Sequence, residues 1–166
     1  MSTAPASSAV SVDSLLFLFD FNHRAFGLNA AGFTHAESLV PAAAGANCAN
    51  WIVGHMIDSR SAVLELLGQE PLWNEAKGKP FNDHAAWSDP EAVALPWESL
   101  LADFEASQER LRAGLAAVTP ERLAAHHKPE SKRPRGMQLN FLQFHEAYHV
   151  GQVGLMRRIV GKSGAI

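Results

Sequence analysis

Residues 137–160 read MQLNFLQFHEAYHVGQVGLMRRIV, and their apolar side chains recur at steps of three and four residues. Such spacing is typical of an amphipathic α-helix with one inward face. Arg157 and Arg158 complement the helix dipole in the last turns, and Gly161 is placed to end the helix. The segment therefore predicts a long helix with one face packed in the interior.

Three further segments show the same period, and they predict helices over residues 12–28, 47–67 and 96–118. Asn47 is the predicted N-cap of the second helix, and Gly68 is predicted to stop it. The sequence has no sustained period-two alternation and no Asn-Gly or Asp-Gly hairpin signal. These features predict an all-α four-helix bundle.

A long irregular connector is predicted between the second and third helices, over residues 69–96. A connector of this length is usually a functional loop, or else it contains short helices. Its aromatic residues predict that it packs down on the bundle; they are Trp73, Phe81 and Trp87.

Length and charge limit the classes of protein. A chain of 166 residues predicts one domain, which we place at residues 11–166 after a flexible tail at residues 1–10. Fourteen Lys and Arg against seventeen Asp and Glu argue against a nucleic-acid partner. The sequence has neither a membrane-spanning apolar stretch nor a signal-peptide pattern, so we expect a cytoplasmic protein with no membrane partner.

The sharpest local motif is His145-Glu-Ala-Tyr-His149-Val-Gly-Gln152 in the fourth predicted helix. Residues four apart lie on one helix face, so the two imidazoles can hold one metal ion. The face is otherwise mostly apolar and is predicted to point inward; it carries Gln138, Phe141, Leu142 and Met156. The alternative is two histidines that pair with neighbouring side chains or with water.

A third inward histidine is His55, on an apolar face of the second predicted helix. Gly54, directly before it, predicts a close approach of another element. His23 is the rival: on the inward stripe of the first helix it could be a fourth ligand, a substrate contact or a core residue. The remaining histidines are predicted to face solvent; they are His35, His84, His126 and His127.

The only cysteine, Cys48, excludes an internal disulfide and multi-cysteine zinc motifs. Any transition metal must therefore be held by imidazole. Cys48 lies at the start of the second predicted helix, where the helix N-terminus can lower the pKa of a thiol. A nucleophilic cysteine is thus a minor alternative.

Two motifs together, Asn50-Trp51-x-x-Gly54-His55 and His145-x-x-x-His149-x-Gly151-Gln152, resemble those of the DinB/YfiT-like superfamily of four-helix bundles. The resemblance also covers the helix order and the wide spacing between the motifs. It implies a divalent metal, zinc or nickel, at His55, His145 and His149. Members of the superfamily include S-transferases and isomerases that use low-molecular-weight thiols, and members commonly dimerise, so the resemblance implies a thiol cosubstrate and a homodimer.

Two functions follow from this interpretation. The first is a metal-dependent enzyme acting on a small molecule, either a thiol S-transferase or a hydrolase, because three protein ligands leave an open metal position. The second is a non-catalytic bundle that binds a metal or ligand in a stress or damage response. Other candidate site residues are Glu146 and Asp58, for ligand orientation or proton transfer, and His23, Tyr148 and Gln152, for substrate contact.

Overall fold

The computed structural model describes residues 11–82, 87 and 89–166. The long helices are α1 (Val12–Ala30), α3 (Ala49–Leu67), α6 (Trp97–Ala117) and α8 (Arg135–Ile159). Shorter helices lie between them: α2 (His35–Ser38), α4 (Glu75–Gly78), a 3-10 turn at Lys79–Phe81, α5 (Pro90–Val93) and α7 (Pro120–Ala124). Over these residues there is no strand, only two isolated bridges. The all-α prediction is confirmed, whereas the predicted tail at 1–10 lies outside the described residues.

The helix ends differ in detail from those predicted. Cys48, and not Asn47, is the N-cap residue of α3, and it makes no side-chain capping bond. The predicted stop at Gly68 is confirmed: its φ of 85° is left-handed, which favours glycine. Helix α8 begins at Arg135, two residues before the predicted start, and Pro134 is its N-cap residue.

The first and last long helices run parallel. The side-chain amide of Asn22 donates to the carbonyl of Gln143 (3.0 Å), and that of Asn29 donates to the carbonyl of Val150 (3.1 Å). Both bonds join residues 121 apart, so α1 and α8 advance together over two helical turns. The two asparagines therefore fix the register of this helix pair.

The chain order of the long helices is up, down, down, up. The helices α3 and α6 run parallel, since Arg60 bonds the carbonyl of Phe104 and Gln69 bonds that of Arg110. Consecutive parallel helices need a connection that returns along their length. The segment between Leu67 and Trp97 supplies it, with α4, the 3-10 turn and α5 along its course.

The connector packs on the bundle, as its aromatic residues predicted. Trp73 and Phe81 are 3% and 1% exposed, and Trp87 packs partly buried against the same core cluster. This packing brings Phe81 against α3. None of the described helices is long and apolar enough to cross a membrane.

Candidate metal centre

Three histidines meet between α3 and α8. The Nε2 atom of His145 lies 3.2 Å from Nε2 of His55 and 3.1 Å from Nε2 of His149. One ligand atom from each ring lies within 4.8 Å of the others. Helix α8 supplies two of the rings from successive turns, and the antiparallel α3 supplies the third.

The ring of His55 is held from both sides. Its Nδ1–H donates to the carbonyl oxygen of Phe81 at 2.9 Å, and its face stacks on Trp51 with ring centroids 4.9 Å apart. Phe81 reaches this position because Gly54 has no side chain: a Cβ there would clash with the edge of the Phe81 ring. Gly54 thus marks a close approach, as predicted, and the group that approaches is the residue that orients His55.

The ring of His149 is held by its own helix. Its Nδ1–H donates to Oε1 of Gln152 at 2.7 Å, and Nε2 of Gln152 donates to the hydroxyl of Tyr148 at 3.1 Å. Gln152 and Tyr148 therefore lie in one hydrogen-bonded chain that ends on a cluster histidine.

The hydrogen bonds fix the tautomers of two rings. A carbonyl oxygen only accepts, so His55 and His149 carry their proton on Nδ1 and present an Nε2 lone pair. Both lone pairs face Nε2 of His145, whose own Nδ1 is buried and has no hydrogen-bond partner among the described residues. A single proton on His145 Nε2 can bond well to only one of them. A cation at this point can be met by a lone pair from every ring.

Burial keeps two of the rings uncharged. It lowers the pKa of His149 to about 4, with neighbouring histidines adding to the effect, and it also lowers the pKa of His145. At neutral pH these imidazoles are therefore neutral and can act as metal ligands. Two nitrogens bound to one Zn²⁺ at about 2.0–2.1 Å in a tetrahedral site lie about 3.3 Å apart. The two separations from His145 Nε2, 3.2 and 3.1 Å, fit such a pair of ligands.

Glu146 does not reach this cluster through its carboxylate. Its two oxygens accept from Nε and Nη2 of Arg60, at 2.6 and 3.0 Å, inside the bundle. Arg60 also donates to the carbonyl of Phe104 and to the hydroxyl of Ser107. Both charged residues are buried. Sequence reasoning missed Arg60, although it lies at helical spacing from the apolar residues Met56, Ile57 and Leu64, which are buried on the same side of α3.

Asp58 and His23 lie elsewhere. Asp58 accepts from the side-chain amide of Asn82, close to Gly78, and lines a separate surface pocket with Glu65 and Glu75. His23 pairs with Glu105 at 3.1 Å and stacks on Phe104. Among the described residues, the convergent cluster contains only His55, His145 and His149.

Three smaller expectations need correction or qualification. Burial raises the pKa of the Cys48 thiol, and this outweighs the backbone N–H groups that the helix start directs at it. Phe141 is 51% exposed, so the inward face of α8 is narrower than predicted. His35 and His126 are exposed as predicted, His127 is half-buried, and His84 lies outside the described residues.

A cavity of about 270 Å³ opens beside His149. Trp51 and Ile52 of α3 and Leu155 and Met156 of α8 form its apolar wall. Tyr148 and Gln152 also line it, and none of its described lining side chains is acidic or basic apart from the neutral His149. The cluster is therefore adjacent to a space that can admit a small molecule.

The bundle and its histidine cluster agree with the comparison to known families. A family model described as the DinB superfamily matches residues 20–153, which is more than half of the chain. The matched stretch includes His55, His145 and His149. No curated protein matches the chain. The chain belongs to the DinB superfamily.

Proposed function

We propose that the protein is a metal-dependent enzyme that binds one divalent cation through His55, His145 and His149. The observation that carries the proposal is the convergence of three Nε2 atoms, with separations of 3.1 and 3.2 Å along the chain of contacts. Two of these atoms present lone pairs, because their rings use Nδ1 to donate elsewhere. A metal bound to all three would accept a lone pair from each ring, whereas one proton on His145 Nε2 can bond only one of the facing lone pairs.

Zinc and nickel are the metals that we propose, since imidazole suits both. When bound, such a cation supplies Lewis acidity and an open position for a water or a thiolate. Phe81 and Gln152 orient two of the ligand rings, as carbonyl partners commonly do in metal sites. The cavity beside His149 is our proposed place for a small-molecule substrate.

The proposed reaction is transfer to a low-molecular-weight thiol, or alternatively hydrolysis. Thiol transfer follows the family resemblance, whereas hydrolysis needs only water in the open position. A non-catalytic metal- or ligand-binding bundle is the outcome if no activity depends on the metal. A cytoplasmic location, as predicted from the sequence, stays part of the proposal.

A homodimer also stays part of the proposal. Exposed apolar side chains follow the outer faces of the parallel helices α1 and α8; they are Phe17, Phe21, Leu28, Met137, Phe141 and Phe144. Several exposed apolar side chains on one helix pair are a feature that often marks a protein interface. We expect light scattering after gel filtration to give the dimer mass, and Phe144→Glu to shift it toward the monomer. A monomeric wild type at micromolar concentration would contradict this.

Metal analysis is the first test. Protein purified without chelators should contain about one equivalent of metal, and His145→Ala and His149→Ala should lose it. His126→Ala is the matched control, because His126 is exposed and its side chain bonds the carbonyl of Ser131 in its own loop. A wild type without stoichiometric metal, or His149→Ala with unchanged metal content, would sink the proposal.

An activity screen of the metal-loaded protein is the second test. Metal-loaded protein should transfer a thiol to an electrophile, or hydrolyse an ester or amide, in a screen where His149→Ala is inactive. Activity that is equal in the wild type and in His149→Ala would show that the metal site does not carry the reaction.

A further inference from the structure

The hydrogen-bond chain from His149 to Tyr148 has only one permitted direction if His149 is a metal ligand. The Nε2 lone pair must then face the cation, so Nδ1 carries the proton and donates to Oε1 of Gln152. Gln152 consequently directs its NH₂ group at Tyr148, whose hydroxyl oxygen accepts it at 3.1 Å. Each step follows from the donor and acceptor atoms available.

The direction of this chain decides what the Tyr148 hydroxyl can do. Its oxygen is occupied by a donor, and its proton is not taken up by Gln152, because an amide NH₂ group cannot accept. Within the described part of the chain, no other group accepts this proton. Tyr148 lines the cavity beside His149 and is 57% exposed. It therefore offers a hydrogen-bond donor at the cavity.

The walls of the same cavity select against charge. Its described lining includes four large apolar side chains and no Lys, Arg, Asp or Glu that could pair with an ionic group. Moving a charged group from water into such a space without a partner is costly. An uncharged group that carries a hydrogen-bond acceptor matches both features of the cavity.

We propose that Tyr148 donates a hydrogen bond to an acceptor oxygen on an uncharged, largely apolar substrate group in this cavity, and that Gln152 is a positioning residue that fixes this direction. This inference rests on the proposed metal site. It adds the chemical class of the substrate and a specificity-determining residue for it.

Thiol probes anchored on Co²⁺ test the inference. Cobalt replaces zinc because it is visible in absorption spectra, and a bound thiolate adds a charge-transfer band to the titration. Three phenylalkyl ether thiols, with the oxygen two, three or four carbons from sulfur, are each compared with the phenylalkanethiol of equal length. We expect at least one ether to show a binding advantage that depends on Tyr148.

Two substitutions separate the direction of the chain from the mere presence of the side chains. Tyr148→Phe removes the donor. Gln152→Glu keeps the acceptor for His149 but replaces the NH₂ group with a second acceptor, to which Tyr148 would then donate. Each should lower the ether-to-alkane affinity ratio about three- to tenfold, and the double variant should lower it no further. The ratio cancels any effect of the added charge on thiolate binding.

A charged probe tests whether the substrate group in the cavity is uncharged. Wild-type protein should bind pentane-1-thiol at least about tenfold more tightly than 5-sulfanylpentanoate. Equal affinities would overturn the assignment of an uncharged substrate group.

The other outcomes are equally decisive. If neither variant changes the ratio for any ether, Tyr148 does not donate a hydrogen bond to the ether oxygen, and the proposal is wrong. If only Tyr148→Phe lowers it, Gln152 does not set the direction. If the protein binds no Co²⁺, metal analysis shows this directly, and the proposed function fails together with the inference. If Co²⁺ binds and no probe does, the inference fails alone.

Discussion

Both carboxylate oxygens of Glu146 accept hydrogen bonds from Arg60, in a bidentate pair buried between α3 and α8. The pair lies beside the histidine cluster in sequence, since Glu146 directly follows His145, but it points into the bundle. Arg60 uses its remaining Nη1 donors on Phe104 and Ser107 of α6. The pair thus connects α3, α6 and α8 at the same level along α8 as the cluster residue His145.

Removing one member of this pair should destabilise the bundle. Arg60→Met leaves a buried carboxylate without a partner, and we expect a loss of about 3–5 kcal/mol in the free energy of unfolding. The double variant Arg60→Met/Glu146→Leu should recover most of this loss, because it removes both charges. Urea denaturation of the three proteins measures both effects.

The same double variant tests whether Glu146 serves the metal site. If its role is structural, the folded double variant should keep the metal content of the wild type. Loss of metal from a protein that remains folded would instead support the sequence-based prediction that Glu146 orients a ligand or moves a proton.

Helical periodicity predicted inward faces for the three cluster histidines but left His23 as a rival, and the family resemblance selected the set of three. Positions 145 and 149 must share a face at 3.6 residues per turn, and His55 lies on the apolar side of its helix. The same rule could not predict the carbonyl of Phe81 or the parallel pairing of α1 with α8. The first comes from a connector without periodicity, and the second depends on how that connector returns the chain.

The angular position of a side chain around its helix also could not assign roles to the neighbours of the ligands. Gln152 was predicted to contact substrate, and it does line the cavity, but the structure also places its Oε1 on Nδ1 of His149. A helix wheel gives the direction of a side chain and not the atom that it bonds, so substrate contact stays a prediction and the bond to His149 is new.

Gly54→Ala should weaken the metal site through Phe81. The added methyl group clashes with the edge of the Phe81 ring, so the connector must shift, and the carbonyl that orients His55 moves with it. We expect a loss of about 1–3 kcal/mol in the free energy of unfolding and a 10- to 100-fold weaker metal affinity, on the order found when a ligand-orienting partner is lost.

Gly151→Ala is the matched control for that substitution. Gly151 also lies in a long helix of the cluster, but a Cβ there meets no atom of the described part of the chain within 4 Å. Alanine should stabilise α8 by roughly 0.5–1 kcal/mol and leave metal affinity unchanged. Thermal unfolding and competition with a chromophoric chelator give both quantities; equal metal affinities in the two variants would refute the Phe81 argument.

Cys48 should behave as a buried structural thiol. It is 2% exposed, and burial raises its pKa, so little thiolate forms at pH 8. Ellman's reagent should label the native protein on the order of 100-fold more slowly than the denatured protein. Rapid native labelling, or loss of thiol transfer in Cys48→Ala with its metal retained, would revive the nucleophilic alternative.

His23→Phe should reduce the loss of stability in mild acid without releasing metal. Burial is the main cause that lowers the pKa of His23; Arg60 and Arg112 lower it further, while Glu105 and Glu146 act in the opposite sense. Because the unfolded chain keeps a higher histidine pKa, it takes up more protons as the pH falls below about 6.5, and the native state loses stability. Phenylalanine removes this difference and can stack on Phe104 as His23 does.

The measurement is the melting temperature of the metal-free wild type and variant between pH 8 and pH 5. The wild type should lose more stability over this interval, and the gap between the two proteins should narrow as the pH rises. Parallel curves would show that His23 carries no such linkage. Loss of metal from the loaded, folded variant would make His23 a fourth ligand, which its contact with Glu105 at 3.1 Å argues against.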